Sequence, residues 1–260
     1  MSGLWHLLGG LGSGLAGGVL SGLFGIGGGI VLVPLLGLIL HLKQHQAQGV
    51  TLAAMLLPIG LPAVLHYRTR GVVVRWNLVG LLLVGFVGGI WTGAVVANRI
   101  PEGPMRWGFV GFLLLLALRA VLQASKRQTA VDRVIPQTWR ALLLPGVVIG
   151  FVGGLASGLL GIGGGLIIIP LLSWWLGLPQ HEAQVTSLAL MLPPIGLPGV
   201  LVYARAQEGL PWLVLAGVAI GFMGGAAIGA RLATRTQGPA LRWAFIGVLV
   251  SMAGLLALRG

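Results

Sequence analysis

The stretch GLFGIGGGIVLVPLL, residues 22–36, sets five glycines and a proline into an apolar run of membrane-helix character, and GLLGIGGGLIIIPLL repeats it at residues 158–172. Three consecutive glycines cost a helix about 1 kcal/mol each relative to alanine, so an unwound element is expected at 27–29 and again at 163–165. Gly28 and Gly164 are expected at positive φ. Unwound backbone at membrane depth survives only where it is buried in protein or lines a cavity. The apolar run after each tract can restart as a helix, and its first N–H groups then face the break with partial positive charge, which attracts anions. The simpler reading of membrane glycines is close helix packing at small-xxx-small spacing. It suits most of the chain's 46 glycines, among them Gly85, Gly88, Gly89 and Gly93. The tract is no nucleotide loop: it lacks the Lys-Ser/Thr of a P-loop, and Ile30 stands where a dinucleotide fingerprint needs its last glycine.

Working outward, the whole chain repeats at a shift of 136 residues, which matches Gly25 with Gly161, Pro34 with Pro170, His45 with His181, Pro62 with Pro198, Tyr67 with Tyr203 and Arg106-Trp107 with Arg242-Trp243. Eight hydrophobic segments result: 7–40, 44–67, 76–98, 107–125, 141–180, 183–204, 209–230 and 243–258. A bilayer core of about 30 Å takes roughly 20 residues of helix, so each segment is long enough or nearly so. The expected fold is an all-α integral membrane protein of about eight transmembrane segments in two homologous four-segment halves. Residues 1–124 form the first repeat, 125–140 a basic cytoplasmic linker, and 141–260 the second repeat. Trp76, Trp107, Trp139, Trp212 and Trp243 fall at segment ends, where interfacial aromatics belong.

Composition agrees. The chain is 57% hydrophobic and 8% charged with mean hydropathy +1.00, too little polar surface to cover a soluble globule. The net charge of +12 comes from Lys and Arg placed between apolar runs, which reads as membrane topology rather than nucleic-acid binding. The absence of cysteine excludes disulfides, thiolate metal sites and cysteine nucleophiles. The N-terminus lacks the basic start of a cleavable signal, so the first hydrophobic segment is expected to remain as a signal anchor.

The first segment of each half decides the topology. Residues 7–40 as one helix would extend about 50 Å, longer than the bilayer core. If each first segment crosses once, the halves are parallel and Lys and Arg divide 10 to 6 between the two faces. If each breaks at its glycines and re-enters, the halves are inverted and the division is 11 to 5. Charge alone does not choose between them; inversion is favoured, and both versions put the linker in the cytoplasm.

A second paired motif supplies side chains. HQAQGVTLAAMLLPIGLPAVLHY at 45–67 matches HEAQVTSLALMLPPIGLPGVLVY at 181–203. Pro58, Pro62, Pro194 and Pro198 shape helix breaks, each removing an intrahelical donor. Gln48 with Thr51, and Gln184 with Ser187, lie three apart on one helix face; the alternative is that the hydroxyls satisfy their own helix carbonyls. His45 and His181 sit at segment starts, as interfacial caps or as groups with a proton or substrate role. No Asp or Glu lies in the uninterrupted spans, leaving no carboxylate proton relay or cation site there. No nucleophile stands beside a base and no ligand cluster suggests a metal, so neither enzymatic chemistry nor a cofactor is expected.

On the paired GIGGG tracts with Pro34 or Pro170, the Gln48 and Gln184 segments leading into the proline breaks, and the duplicated four-segment plan, the sequence resembles the TauE/SafE family of sulfite and organosulfonate transporters. The resemblance covers nearly the whole chain and implies a multi-pass protein of the bacterial inner membrane that moves small oxyanions without hydrolysing ATP. The expected function is therefore secondary transport of a small anion, sulfite or an organosulfonate-type oxyanion, by alternating access around a site between the halves. Backbone donors come from Gly25, Gly27, Gly28, Gly29, Gly161, Gly163, Gly164 and Gly165, and side-chain bonds from Gln48, Thr51, Gln184 and Ser187. The implied partners are the small anion, the lipid bilayer, and a proton or sodium ion as candidate coupling ion, with no nucleic acid. An anion channel of the same architecture and a non-transporting scaffold are the alternatives.

Overall fold

The computed structural model describes residues 2–24, 28–56, 64, 71–124, 139–206, 209–233 and 239–258. Gly25, Gly27, Pro58, Pro62 and most of the linker lie outside them. Among the described residues all regular structure is helical: α1 Ser2–Phe24, α2 Gly29–Leu40, α3 Gln44–Ala54, α4 Trp76–Ala97, α5 Glu102–Ala124, α6 Trp139–Leu160, α7 Gly165–Trp175, α8 Gln180–Leu190, α9 Leu197–Ala206, α10 Trp212–Ala233 and α11 Pro239–Leu258. The protein is an all-α membrane protein. Helices α4, α5, α6 and α10 each contain a stretch long and apolar enough to cross a bilayer by length and composition. Their outer faces are apolar too, with Val84, Leu115 and Ile220 exposed by 67%, 62% and 62%.

Both long first segments break at their glycines. Gly9 lies by Leu40 and Gly17 by Leu32, so α2 runs back along α1. Likewise Gly153, two turns before the end of α6, faces Ile168 of α7. The turn in the second half uses Gly161 and Gly163 at φ +68° and +70°, values that a side chain other than glycine rarely adopts. Gly28 and Gly164 do not follow the expectation of positive φ. They sit in the right-handed helical region, at φ −70° and −61°, as the residues that cap α2 and α7.

The most extensive packing joins helices from opposite repeats: α1 with α10, and α4 with α6. Both pairs are parallel. Gly10, Gly14 and Gly18 of α1 meet Val214, Val218 and Phe222 in rising order, and Gly85, Gly89 and Gly93 of α4 meet Val147, Phe151 and Leu155. Glycine every fourth residue lets the backbones touch. The order of ends follows from two further contacts. Helix α2 ends beside the beginning of α1, and α3 starts after three intervening residues. His45, in the first turn of α3, donates from Nε2 to the Ile100 carbonyl, just past the end of α4, at 3.1 Å. The beginning of α1 therefore shares an end of the molecule with the finish of α4, and so with the finish of α6. Helices α1 and α6 are repeat mates and run oppositely, which makes the halves inverted. At the other end Arg75 Nε, before α4, bonds Glu182 Oε2, in the first turn of α8, at 3.0 Å. This ion pair ties the first repeat to an acidic residue of the second.

Candidate functional site

The two glycine tracts meet in the interior. A methyl group on Gly29 would strike Gly161 O and Ile162 Cα, so the start of α2 rests directly on the unwound turn before α7. Phe222 covers Gly28 and its repeat mate Phe86 covers Gly164. These aromatic lids leave no room for alanine at either glycine.

Ending α6 inside the protein creates orphan carbonyls, since the last four C=O groups of a helix lack intrahelical partners. Gln48 and Tyr203 supply them. Gln48 Nε2 donates to Leu159 O at 3.0 Å. The Tyr203 hydroxyl lies 2.7 Å from Gly158 O and 2.9 Å from Gln48 Oε1, with one proton shared between them. His45 Nδ1 faces the same Gln48 oxygen at 3.4 Å. All three side chains are buried, and Gly161 packs on the Gln48 stem. The network joins α3 of the first repeat to α6 and α9 of the second. Gln48 is thus a cap for a broken helix in this conformation, with its amide committed to protein partners. His181, the mate of His45, lies exposed at the start of α8, and Gln184 is half-buried and engages a neighbour.

Beside the second tract is a cavity of about 30 Å³, walled by Gly163, Gly164, Ser157 of α6, Phe86 of α4, and the repeat mates Met55 and Met191. Ser157 is 1% exposed and its Oγ has no hydrogen-bond partner among the described residues. A buried unpaired hydroxyl costs free energy, so this one, in the last turn of α6 and facing the start of α7, invites a ligand. Thr51 Oγ1 is buried and without a partner in the same way. Ser187, the mate of Thr51, is buried and its Oγ would lie 3.3 Å from a methyl on Gly165. Pro194 sits in the break between α8 and α9, and Pro198 is the second residue of α9, where its missing N–H removes no helix bond.

The structure therefore gathers Gly163, Gly164 and Gly165 with Ser187, brings Gly29 against Gly161, and leaves Gln48 as the cross-brace beside them. Ser157 and Tyr203 were not singled out from the sequence. Both have matching residues in the first repeat, Ser21 and Tyr67, and that pairing was the available signal. No cluster of potential metal ligands occurs among the described residues.

Broken helices from inverted repeats, meeting in an uncharged interior, define a multi-pass membrane transporter. The family model for the sulfite exporter TauE/SafE matches residues 10–256, and the chain belongs to that family. Similar proteins include the probable membrane transporter protein YdhB of Bacillus subtilis, 29% identical over 93% of this chain and 96% of its own. A probable membrane transporter protein of Xylella fastidiosa strain 9a5c is 30% identical over 86% of this chain and 84% of its own. No solved structure matches the chain.

Proposed function

We propose that the protein is a secondary transporter of a compact oxyanion, sulfite or a small organosulfonate, working by alternating access around the cavity at the second glycine tract. One observation carries the reading: the unpaired Ser157 hydroxyl shares a cavity with Gly163 and Gly164 at the start of α7. Helix-end N–H groups and a hydroxyl suit an anion, and the wall offers no carboxylate to repel it. Gly161, Gly163, Gly164 and Gly165 would present backbone, Ser157 and Ser187 hydroxyls, while Gln48, Gln184, Thr51, Gly28 and Gly29 set the shape of the junction. The volume favours a small ion; an engineered apolar cavity that holds benzene measures about 150 Å³. Inverted repeats give two equivalent conformations in which each half exchanges roles.

Flux of radiolabelled sulfite into proteoliposomes tests the proposal. Saturation with counterflow is the expected result. Unsaturable conductance would make the protein a channel, and no flux with sulfite, methanesulfonate or sulfoacetate would leave a scaffold.

A further inference from the structure

A second cavity lies apart from the glycine tracts, at the end of the molecule where α1 begins. It measures about 250 Å³, and its wall includes Lys43, Gln44, Glu102, Gly103 and Arg106. Two helices start there. Gln44 is the first residue of α3 and Glu102 the first of α5, so two sets of helix-end N–H groups converge on one space. Two cationic side chains stand against one carboxylate. Gln44 is 9% exposed and its Nε2 finds no hydrogen-bond partner among the described residues. An amide nitrogen has only donors to offer, so the group it awaits is an acceptor.

The internal repeat shows that the fold itself does not require this chemistry. The matching positions for His41, Lys43 and Glu102 are Gly177, Pro179 and Gly238. Gln44 and Arg106 recur as Gln180 and Arg242, but the charges of Lys43 and Glu102 have no counterpart in the second repeat. The lining also connects inward. Gln44, Gln48 and Thr51 lie on a single face of α3, and Met55, which caps the end of α3 and bonds Thr51 O through its N–H, continues that face at a spacing of four. That face begins in this cavity and ends at the tract cavity, which Met55 lines, about 16 Å away at 1.5 Å per residue. Gln44 and Thr51 both hold unpartnered buried polar atoms along it.

We infer that this cavity is an anion-binding vestibule at one mouth of the transport path, taking a free oxyanion of the sulfite, sulfonate or phosphate type. The path inward rests on the transporter reading above; the binding does not. A lipid headgroup offers the same phosphate oxygens, and the test separates the two sources. The full chain is placed in phosphatidylcholine nanodiscs and titrated with sodium sulfite by calorimetry at fixed ionic strength. Two binding events are expected. Lys43→Gln combined with Gln44→Leu should weaken one about tenfold and leave the other, whereas Ser157→Ala should do the reverse. Arg106→Gln provides a second lesion at the vestibule should the double variant fold poorly. Both events unchanged in the folded vestibule variants would overturn the proposal. So would loss of the vestibule event when phosphatidylglycerol replaces part of the phosphatidylcholine, which would make the cavity a headgroup site. A single event, abolished by the vestibule changes but not by Ser157→Ala, would uphold the vestibule while removing the central site.

Discussion

At the scale of single residues, the sharpest contrast is between Ser157 and the glycines around it. A buried hydroxyl without a partner contributes nothing favourable to folding, and replacing it by a group of similar shape is neutral or stabilising. Ser157→Ala should therefore leave the thermal midpoint unchanged or slightly raised, while cutting the extra stabilisation that sulfite confers, because ligand binding stabilises only through the folded form. A drop in midpoint without ligand would mean that Ser157 has a structural partner and is no ligand. Gly161→Ala should behave oppositely. Its φ of +68° suits no side chain other than glycine's, and an added methyl would lie 2.8 Å from Gln48 Cα. The left-handed backbone alone costs about 1–2 kcal/mol, so the midpoint should fall with or without sulfite. The sequence announced a break at GIGGG but misplaced its strained residues. Glycine content gives the capacity to unwind, whereas which glycine turns depends on where α6 stops and on what covers the next residue. Phe86 over Gly164 settles that in the second tract, from a position 78 residues distant.

At the scale of elements, glycine serves a second purpose that the sequence did disclose. Gly85, Gly89 and Gly93 on α4, and Gly217, Gly221, Gly225 and Gly229 on α10, keep a spacing of four and face a partner backbone. The motif was legible, but its partner was not, because spacing on one helix is silent about which other helix fits it. Nothing local in α1 points to α10 rather than to a neighbour in its own repeat. Alanine at Gly89 would drive a methyl into the Phe151 carbonyl, and at Gly225 into the Leu15 carbonyl. Overpacking of this kind costs about 1–3 kcal/mol. Both variants should lower the thermal midpoint, and the protein that remains folded should bind sulfite with unchanged affinity. A loss of affinity without a loss of stability would place these helix pairs in the site rather than around it.

At the scale of the molecule, inversion fixes where the ends lie. The start of α1 shares an end with the finish of α4, through His45 and Ile100. Leu256, near the finish of α11, lines the same vestibule as Lys43 and Glu102, so both termini gather there. The finish of α5 and the start of α6 lie at the opposite end, since α5 starts at the vestibule and α6 ends on its side. Charge counts could not choose between parallel and inverted halves because both divisions of Lys and Arg favour the linker face. Contacts decide it, and with inversion the division of 11 to 5 leads us to propose that the linker faces the cytoplasm and the vestibule the outside. A fluorescent reporter that matures only in the cytoplasm, fused after Gly260, should stay dark, and alkaline phosphatase at the same place should be active. A cysteine introduced at Lys43 should react with an impermeant maleimide added to whole cells, with the chain's lack of cysteine giving a silent background. A bright reporter together with an unreactive Lys43→Cys would place the vestibule inside, where it would meet cytoplasmic anions instead. Because the charges of Lys43 and Glu102 have no counterpart in the second repeat, the two directions of transport should then differ in apparent affinity, and the asymmetry should shrink in Lys43→Gln.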